Sequence, residues 1–180
     1  MAARRPSPSA LQIVVAVAVL LLPVVLIYQF FSRVPEPEAR AVEWQPVVAQ
    51  ARAESPFPVA VPADLPPDWT VVRARWTPLG KPGIDQQPAI GNTFQFGVVT
   101  PGQMYIGLDQ RDTDPRGLIK QATREGKPDG ESVLGGVTWQ RYLSSDDRTR
   151  SLVRGDTKST LVISGDLPYE ALEAFAGTLK

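Results

Sequence analysis

Ser132–Ser164 reads SVLGGVTWQRYLSSDDRTRSLVRGDTKSTLVIS. Short runs rich in Val, Thr, Tyr, Leu and Ile alternate with clusters of Gly, Asp and Ser, the signature of strands joined by tight turns. Ser132–Leu134 meets Gly135-Gly136, and Val137–Leu143 meets Ser144–Asp147. Arg148–Arg154 then meets Gly155–Thr157, and Lys158–Ser164 completes a meander. The connections are too short for crossover helices, so hairpin pairing is expected and a parallel sheet is not.

The same reading extends outward. Thr93–Thr100 alternates with Phe94, Phe96 and Val98 on one face, and Gln103–Gln110 with Met104, Ile106 and Leu108; Pro101-Gly102 joins them as a hairpin. Trp69–Thr77 reads as a strand with Val72, Ala74 and Trp76 on one face and Val71, Arg73 and Arg75 on the other. Phe57–Val61 reads as a short edge-type extended piece, since Pro58 cannot donate to a ladder. Pro62–Asp68 is a rigid loop, and Pro78–Gly91 is a long turn-rich loop and the expected site of mobility. Three helices are expected. Ala41–Glu54 starts in earnest near Gln45, with Pro46 in its first turn. A second helix runs from Asp114-Pro115 to about Arg124, with Asp114 as N-cap. The third, Leu167–Leu179, is capped by Asp166 and carries a stripe of Leu172, Phe175, Ala176 and Leu179. The sum is α+β: a mainly antiparallel sheet with helices packed on it.

Ahead of this domain, Ala10–Phe31 reads ALQIVVAVAVLLLPVVLIYQFF, and no charged side chain occurs from Pro6 to Ser32. A helix of that length spans roughly 33 Å, enough for a hydrocarbon core of about 30 Å. Val, Leu and Ile occupy every face, unlike an amphipathic core helix. A cleaved signal peptide is the competing reading, but its apolar region is shorter and ends in a small-x-small site, whereas this run ends in Tyr28-Gln29-Phe30-Phe31. The expected organisation is a cytoplasmic tail (1–9), one transmembrane helix (10–31), a Pro-rich linker (32–40) and an extracytoplasmic α+β domain (41–180). Arg4 and Arg5 lie close to the span, whereas Arg33 and Arg40 are diluted by Glu36, Glu38 and Glu43. The positive-inside rule then puts the N-terminus in the cytoplasm, making a single-pass cell-membrane protein with its C-terminal domain outside.

Composition narrows the chemistry. The 180 residues include no cysteine and no histidine, and 19 Lys plus Arg balance 19 Asp plus Glu. Thiol nucleophiles, thiolate zinc sites and disulfide staples are excluded, and the commonest general base and metal ligand is missing. Zero net charge argues against a nucleic-acid partner. Asp112-x-Asp114 with Gly117 has the opening of a calcium loop, but Arg116 and Thr123 stand where its later oxygen ligands belong, so capping explains Asp114 better. Asp146-Asp147 suits a solvated hairpin tip. Arg141, Arg148, Arg150 and Arg154 read as the wet face of a sheet, with contact to anionic headgroups or wall polymers as the alternative. Ser144, Ser145 and Lys158 form no known Ser–Lys signature. Trp44, Trp69, Trp76 and Trp139 are read as core residues before a stacking cleft. Gly135-Gly136 lacks the lysine and helix of a phosphate loop. No catalytic, cofactor-binding or metal-ligating residue is assigned, and no cofactor is expected.

Several short motifs occur in a specific order: Ser55-Pro56-Phe57-Pro58-Val59, then Leu65-Pro66-Pro67-Asp68-Trp69 and the strand ending at Trp76. Tyr105-Ile106-Gly107-Leu108-Asp109-Gln110 and Gly136-Val137-Thr138-Trp139-Gln140-Arg141-Tyr142 follow, and Ser164-Gly165 precedes the last helix. Together with the N-terminal span they resemble the actinobacterial single-pass membrane proteins grouped as domain of unknown function 4245. The resemblance implies a bacterial envelope setting and no particular chemistry. The expected role is a non-catalytic envelope binding or interaction module, contacting the bilayer through residues 10–31 and an envelope protein, a lipid or a wall polymer through its domain. The alternative is a carboxylate-dependent hydrolase acting on cell-wall polysaccharide through loop acids such as Asp85, Asp112 and Asp147. A structural role with signalling through the short tail ranks last.

Overall fold

The turn chemistry of the C-terminal half is realised as a two-residue hairpin loop at Gly135-Gly136, with both residues at positive φ (57° and 80°). A β-branched pair could not adopt that geometry cheaply. The computed structural model describes residues 15, 17, 19–25 and 40–180. The chain divides into two units, Met1–Glu38 and Ala39–Lys180. In the first, the described residues are helical and exposed. Most of the expected 10–31 span, with the 1–9 tail and nearly all of the 32–40 linker, lies outside the described residues. Among the described residues no helix is long and apolar enough to cross a membrane.

The second unit runs α1 (Gln45–Glu54), β1 (Thr70–Thr77), β2 (Thr93–Val99), β3 (Tyr105–Arg111), α2 (Pro115–Ala122), β4 (Lys127–Leu134), β5 (Val137–Leu143), β6 (Arg150–Gly155), β7 (Thr160–Gly165), α3 (Tyr169–Gly177). The strands form one seven-stranded sheet in the order β1-β2-β3-β7-β6-β5-β4. Every neighbouring pair is antiparallel. The expected α+β class and both hairpin series are therefore present, joined where β3 meets β7.

One sheet face carries the main core. Phe94, Phe96, Val98, Ile106, Leu108, Leu152, Leu161 and Ile163 are all buried there, with Val48 and Ala51 of α1 and Leu172, Phe175 and Ala176 of α3 in the same cluster. Each such side chain contributes about 1.5–3 kcal/mol when fully withdrawn from water. On the opposite face α2 alone supplies a cover, with Leu118 against Val153 and Val162.

Four local expectations are corrected. In β1 a bulge between Val71 and Arg73 shifts the alternation, so Val71, not Val72, joins Ala74 and Trp76 on the core face. The strand before Gly135-Gly136 begins at Lys127, five residues early, because β4 is an edge strand that tolerates Pro128 at its own bulge. Asp166 does not cap α3; its carboxylate accepts from Thr149 Oγ1 (2.5 Å), and Pro168 occupies the N-cap without a side-chain bond. Phe57–Val61 is not an edge strand but a buried strap across the core face. The Asp114 cap is present, accepting from Gly117 N at 3.0 Å.

The strap poses a burial problem, since its backbone polar groups need partners. Gln110, 2 % exposed, supplies two of them. Its Oε1 accepts from Ala60 N (3.0 Å), and its Nε2 donates to Pro58 O (2.9 Å) and Ser159 Oγ (3.0 Å). The strap continues into a clasp with the C-terminus, Val61 N to Lys180 O (3.2 Å) and Lys180 N to Val61 O (3.1 Å). Gln110→Ala strands a buried donor and a buried acceptor and opens a void. We expect it to lower the unfolding free energy by about 2–4 kcal/mol in urea titrations followed by tryptophan fluorescence. A loss under about 0.5 kcal/mol would show that the strap is held by packing alone.

Candidate functional site

The sheet face opposite the core is uncovered by helices over β1 and β2 and flanked by α2 along β3, and its alternation there is polar. Register places Arg75, Gln95 and Asp109 in one cross-strand row, Thr77, Thr93 and Arg111 in the next, and Arg73, Gly97 and Gly107 in the row on the other side. The loop between β1 and β2 and the first turn of α2 rise as walls. Together they enclose about 590 Å³ lined by Arg73, Thr93, Gln95, Arg111, Asp85 and Gln121, among others. A further hollow of about 220 Å³ shares Arg73, Gln95 and Arg111 and continues along the strands to Tyr105, Gly107, Asp109 and Ser164.

The floor is interlocked. Gln95 Nε2 donates to Asp109 Oδ1 (2.7 Å), and the Arg73 guanidinium lies 3.8 Å from the same oxygen. Arg111 donates through Nε to Thr113 O (2.9 Å) and through Nη2 to Asp114 O (2.9 Å). Arg75 donates to Thr77 Oγ1 (3.2 Å) and to Pro82 O (3.0 Å), pinning the wall loop. That loop, expected to be mobile, is built as a small arch: Gly80 N bonds Ala89 O and Ala89 N bonds Lys81 O, both at 2.8 Å. Its base is fixed by Asn92, whose side-chain oxygen accepts from Leu79 N (3.1 Å).

At the other end of the groove the Tyr105 ring lies over Gly97 and Gly107, which face each other across β2 and β3. A Cβ at Gly97 would run into that ring, and one at Gly107 would crowd its edge at 3.0 Å. The ring thus occupies the room two side chains would fill, while its outer face stays open; Tyr105 is 40 % exposed. Ser151, one strand beyond Ser164 on this face, keeps a buried hydroxyl with no hydrogen-bond partner, the one such side-chain atom among the described residues. A separate cleft of about 350 Å³ lies between the 64–69 segment and α3, lined by Leu65, Trp69, Leu167 and Phe175. It is almost wholly apolar and offers little to orient a ligand.

Of the candidate residues singled out in the sequence, Asp85, Asp114 and Gly117 line the groove, and the others fall elsewhere. Asp112 accepts from Asn92 N (2.9 Å) and Asn92 Nδ2 (2.7 Å), which occupies both its oxygens. Asp112 and the loop of Asp85 sit at the Thr77–Thr93–Arg111 end of the sheet, whereas Asp147 sits in the turn at the opposite end, beyond Leu143 and Arg150. Those ends are about 16 Å apart along β7. Lys158 and Ser144 are separated in the same way, and Ser144 Oγ donates to Asp146 Oδ1 (2.5 Å). That bond, with the Arg148 amide, holds the Asp146 carboxyl below its ordinary value. Trp76 and Trp139 are buried; Trp69 stacks on Phe175 at 6.1 Å and Trp44 meets Phe96 edge-on at 5.8 Å.

The expected wet arginine face is corrected. Arg150, Leu152 and Arg154 share one face by period two, and it is the core face beneath α3. Arg154 covers the Trp139 ring at 5.1 Å. Arg141 and Arg150 flank the Tyr169 ring at 4.7 and 5.8 Å. Burial, and then Asp129 at hydrogen-bond distance, push the Tyr169 hydroxyl upward. Arg141 also donates to Glu173 Oε1 (2.6 Å) and Ser132 Oγ (2.7 Å), and Ser132 donates to Glu173 (2.6 Å). Arg148 pairs with Asp166 at 3.6 Å and is exposed.

The Ser132 hydrogen bond, and secondarily Arg141, hold Glu173 below its ordinary value of 4.5. Its folded pKa is thus below its unfolded one, so the stabilisation is whole above the unfolded value and disappears as pH falls through the folded one. In denaturant titrations from about pH 7 to about pH 3, we expect the stability advantage of wild type over Glu173→Gln to narrow below 4.5. A pH-independent difference would refute the linkage.

The family model described as Protein of unknown function (DUF4245) matches residues 6–179. A comparison with curated proteins returns no match. The family expected from the ordered motifs is thus the one matched over nearly the whole length, and the chain belongs to the DUF4245 family of proteins of unknown function.

Proposed function

We propose that the protein is a single-pass membrane-anchored module of the cell envelope, with its N-terminus in the cytoplasm and its folded domain outside. We further propose that the domain binds an envelope component without transforming it. The interlocked floor of the open-face groove carries this reading. Asp109 is engaged by Gln95 and Arg73, and Arg111 by backbone oxygens, so the groove presents fixed donors and acceptors. Pre-set polar groups favour recognition, because binding then costs little side-chain ordering. Support for the anchor is the uncharged 22-residue run at 10–31. The carboxylate-hydrolase alternative is weakened by the placement of Asp147 at the sheet end opposite Asp85 and Asp112, since a glycosidase pair must flank one bond at about 5–9.5 Å.

The test uses the full chain with a C-terminal epitope. It is expected in carbonate-washed membranes, and protease added to spheroplasts should remove the epitope. Photo-crosslinking from residue 121 at the groove wall should capture an envelope component, and Arg73→Ala with Gln95→Ala should reduce capture at least about fivefold, the effect of losing roughly one hydrogen bond's net worth. Recovery in the soluble fraction would overturn the anchor. Capture unchanged by the double substitution would overturn the groove.

A further inference from the structure

We propose that the open-face groove is a glycan site, in which the Tyr105 ring is the stacking platform and Arg73, Gln95 and Asp109 are the hydroxyl-reading side chains. The inference rests on the binding reading above and names its ligand class. The platform comes first. A flat aromatic ring with an open face offers its negative quadrupole to the weakly positive C–H side of a pyranose. Tyr105 is 40 % exposed, and the glycines beneath it let the ring lie against the sheet instead of standing off it.

The polar set comes next. A sugar ring presents hydroxyls that both donate and accept, and it is best met by side chains offering both functions in one plane. Asp109 provides acceptor oxygens, Gln95 an amide with both functions, and Arg73 a donor fork, all beside Tyr105 in one continuous hollow with Ser164. Ser164 lies next to the buried, unpartnered Ser151 hydroxyl.

Charge separates a glycan from an anion. On the floor Arg73 faces Asp109 at 3.8 Å, Arg111 lies 3.4 Å from Asp114, and Arg75 is spent on Pro82 O and Thr77, while the exposed Arg124 stands at the rim of the hollow. A phosphate or carboxylate would have to displace these partners and meet the Asp109 charge, so the floor suits a neutral ligand. Size agrees. The three cross-strand rows and the two contiguous hollows give a trough of roughly 15–20 Å along strands that rise about 3.3 Å per residue, the length of a short oligosaccharide.

The test uses the full chain in phosphatidylcholine nanodiscs and saturation-transfer NMR. The probes are chitotriose, maltotriose, an α-1,6-mannotriose and inorganic phosphate. At least one trisaccharide should show transfer to its ring protons. Tyr105→Ala should weaken that affinity at least about tenfold, and Asp109→Asn by a similar factor, as expected when a stacking or charged hydrogen-bonding contact is lost. Tyr105→Phe should retain it, since the ring and not the hydroxyl is the platform, and Gly97→Ala should weaken it by lifting the ring. Unchanged melting and circular dichroism for Tyr105→Phe and Gly97→Ala exclude misfolding. No transfer to any trisaccharide, equal binding by Tyr105→Ala, or binding of phosphate alone each overturns the glycan assignment. If envelope capture still depends on Arg73 and Gln95 in that case, the binding module stands and only its ligand class falls.

Discussion

A single buried amide sets the terms of this fold. Gln110 continues the face of Ile106 and Leu108, where alternation calls for another apolar side chain. An apolar residue there would leave the strap at Pro58–Ala60 with no answer to its backbone polarity. Pro58 and Pro62 keep that strap from pairing as a ladder strand, so its groups must be satisfied from the side. The glutamine amide carries a donor and an acceptor in the same geometry as a peptide group, and so it substitutes for a neighbouring strand. The payoff is apolar. With the strap seated, Phe57, Val59 and Val61 close the core above Phe94 and Leu161.

Closing one face so thoroughly shapes the other. α1, the strap and α3 all lie on the core face, while α2 covers only the middle of the opposite one. An uncovered antiparallel face must be polar to remain in water, and β1, β2 and β3 meet that demand with Arg73, Arg75, Gln95, Asp109 and Arg111. The same bare face can accept inward-curved relief. Gly97 opposite Gly107 leaves room that the Tyr105 ring fills, and the ring shields the exposed strand backbone there, as aromatics do beside strand glycines. The groove is therefore a by-product of where the helices went, elaborated by two glycines and a tyrosine.

This explains what could be read in advance. The β2–β3 hairpin and the meander from β4 to β7 followed from turn residues, because Pro101-Gly102 and Gly135-Gly136 act locally; the place of β1 beside β2, across a long loop, did not. The union of the two series through β3 and β7 did not, since nothing local in Leu108 or Ile163 names its partner. The bulge at Val71–Arg73 was hidden because Val71 and Val72 are chemically interchangeable in a pattern. Arg150 and Arg154 were misplaced for a related reason: their guanidinium groups reach aromatic rings at the rim of the core, so charge alone did not mark them as solvated. The groove had a signal that periodicity arguments pass over. Gln95 and Gly97, like Gly107 and Asp109, occupy the alternate positions of otherwise apolar strands, and only hairpin register brings them side by side.

Register also decides which side chains meet on the open face. Here one oxygen of Asp109 accepts from Gln95 and faces the Arg73 guanidinium at 3.8 Å, so the carboxylate is held between an amide and a cation. The constraint propagates outward: Arg75 secures the arch through Pro82 O, Asn92 secures its base to Asp112, and Arg111 fixes the approach to α2. Each wall of the trough is thus tied to the sheet by a charged or amide side chain. The shape of the trough and the pattern of its donors and acceptors are therefore set by side chains whose positions the β-sheet has already decided.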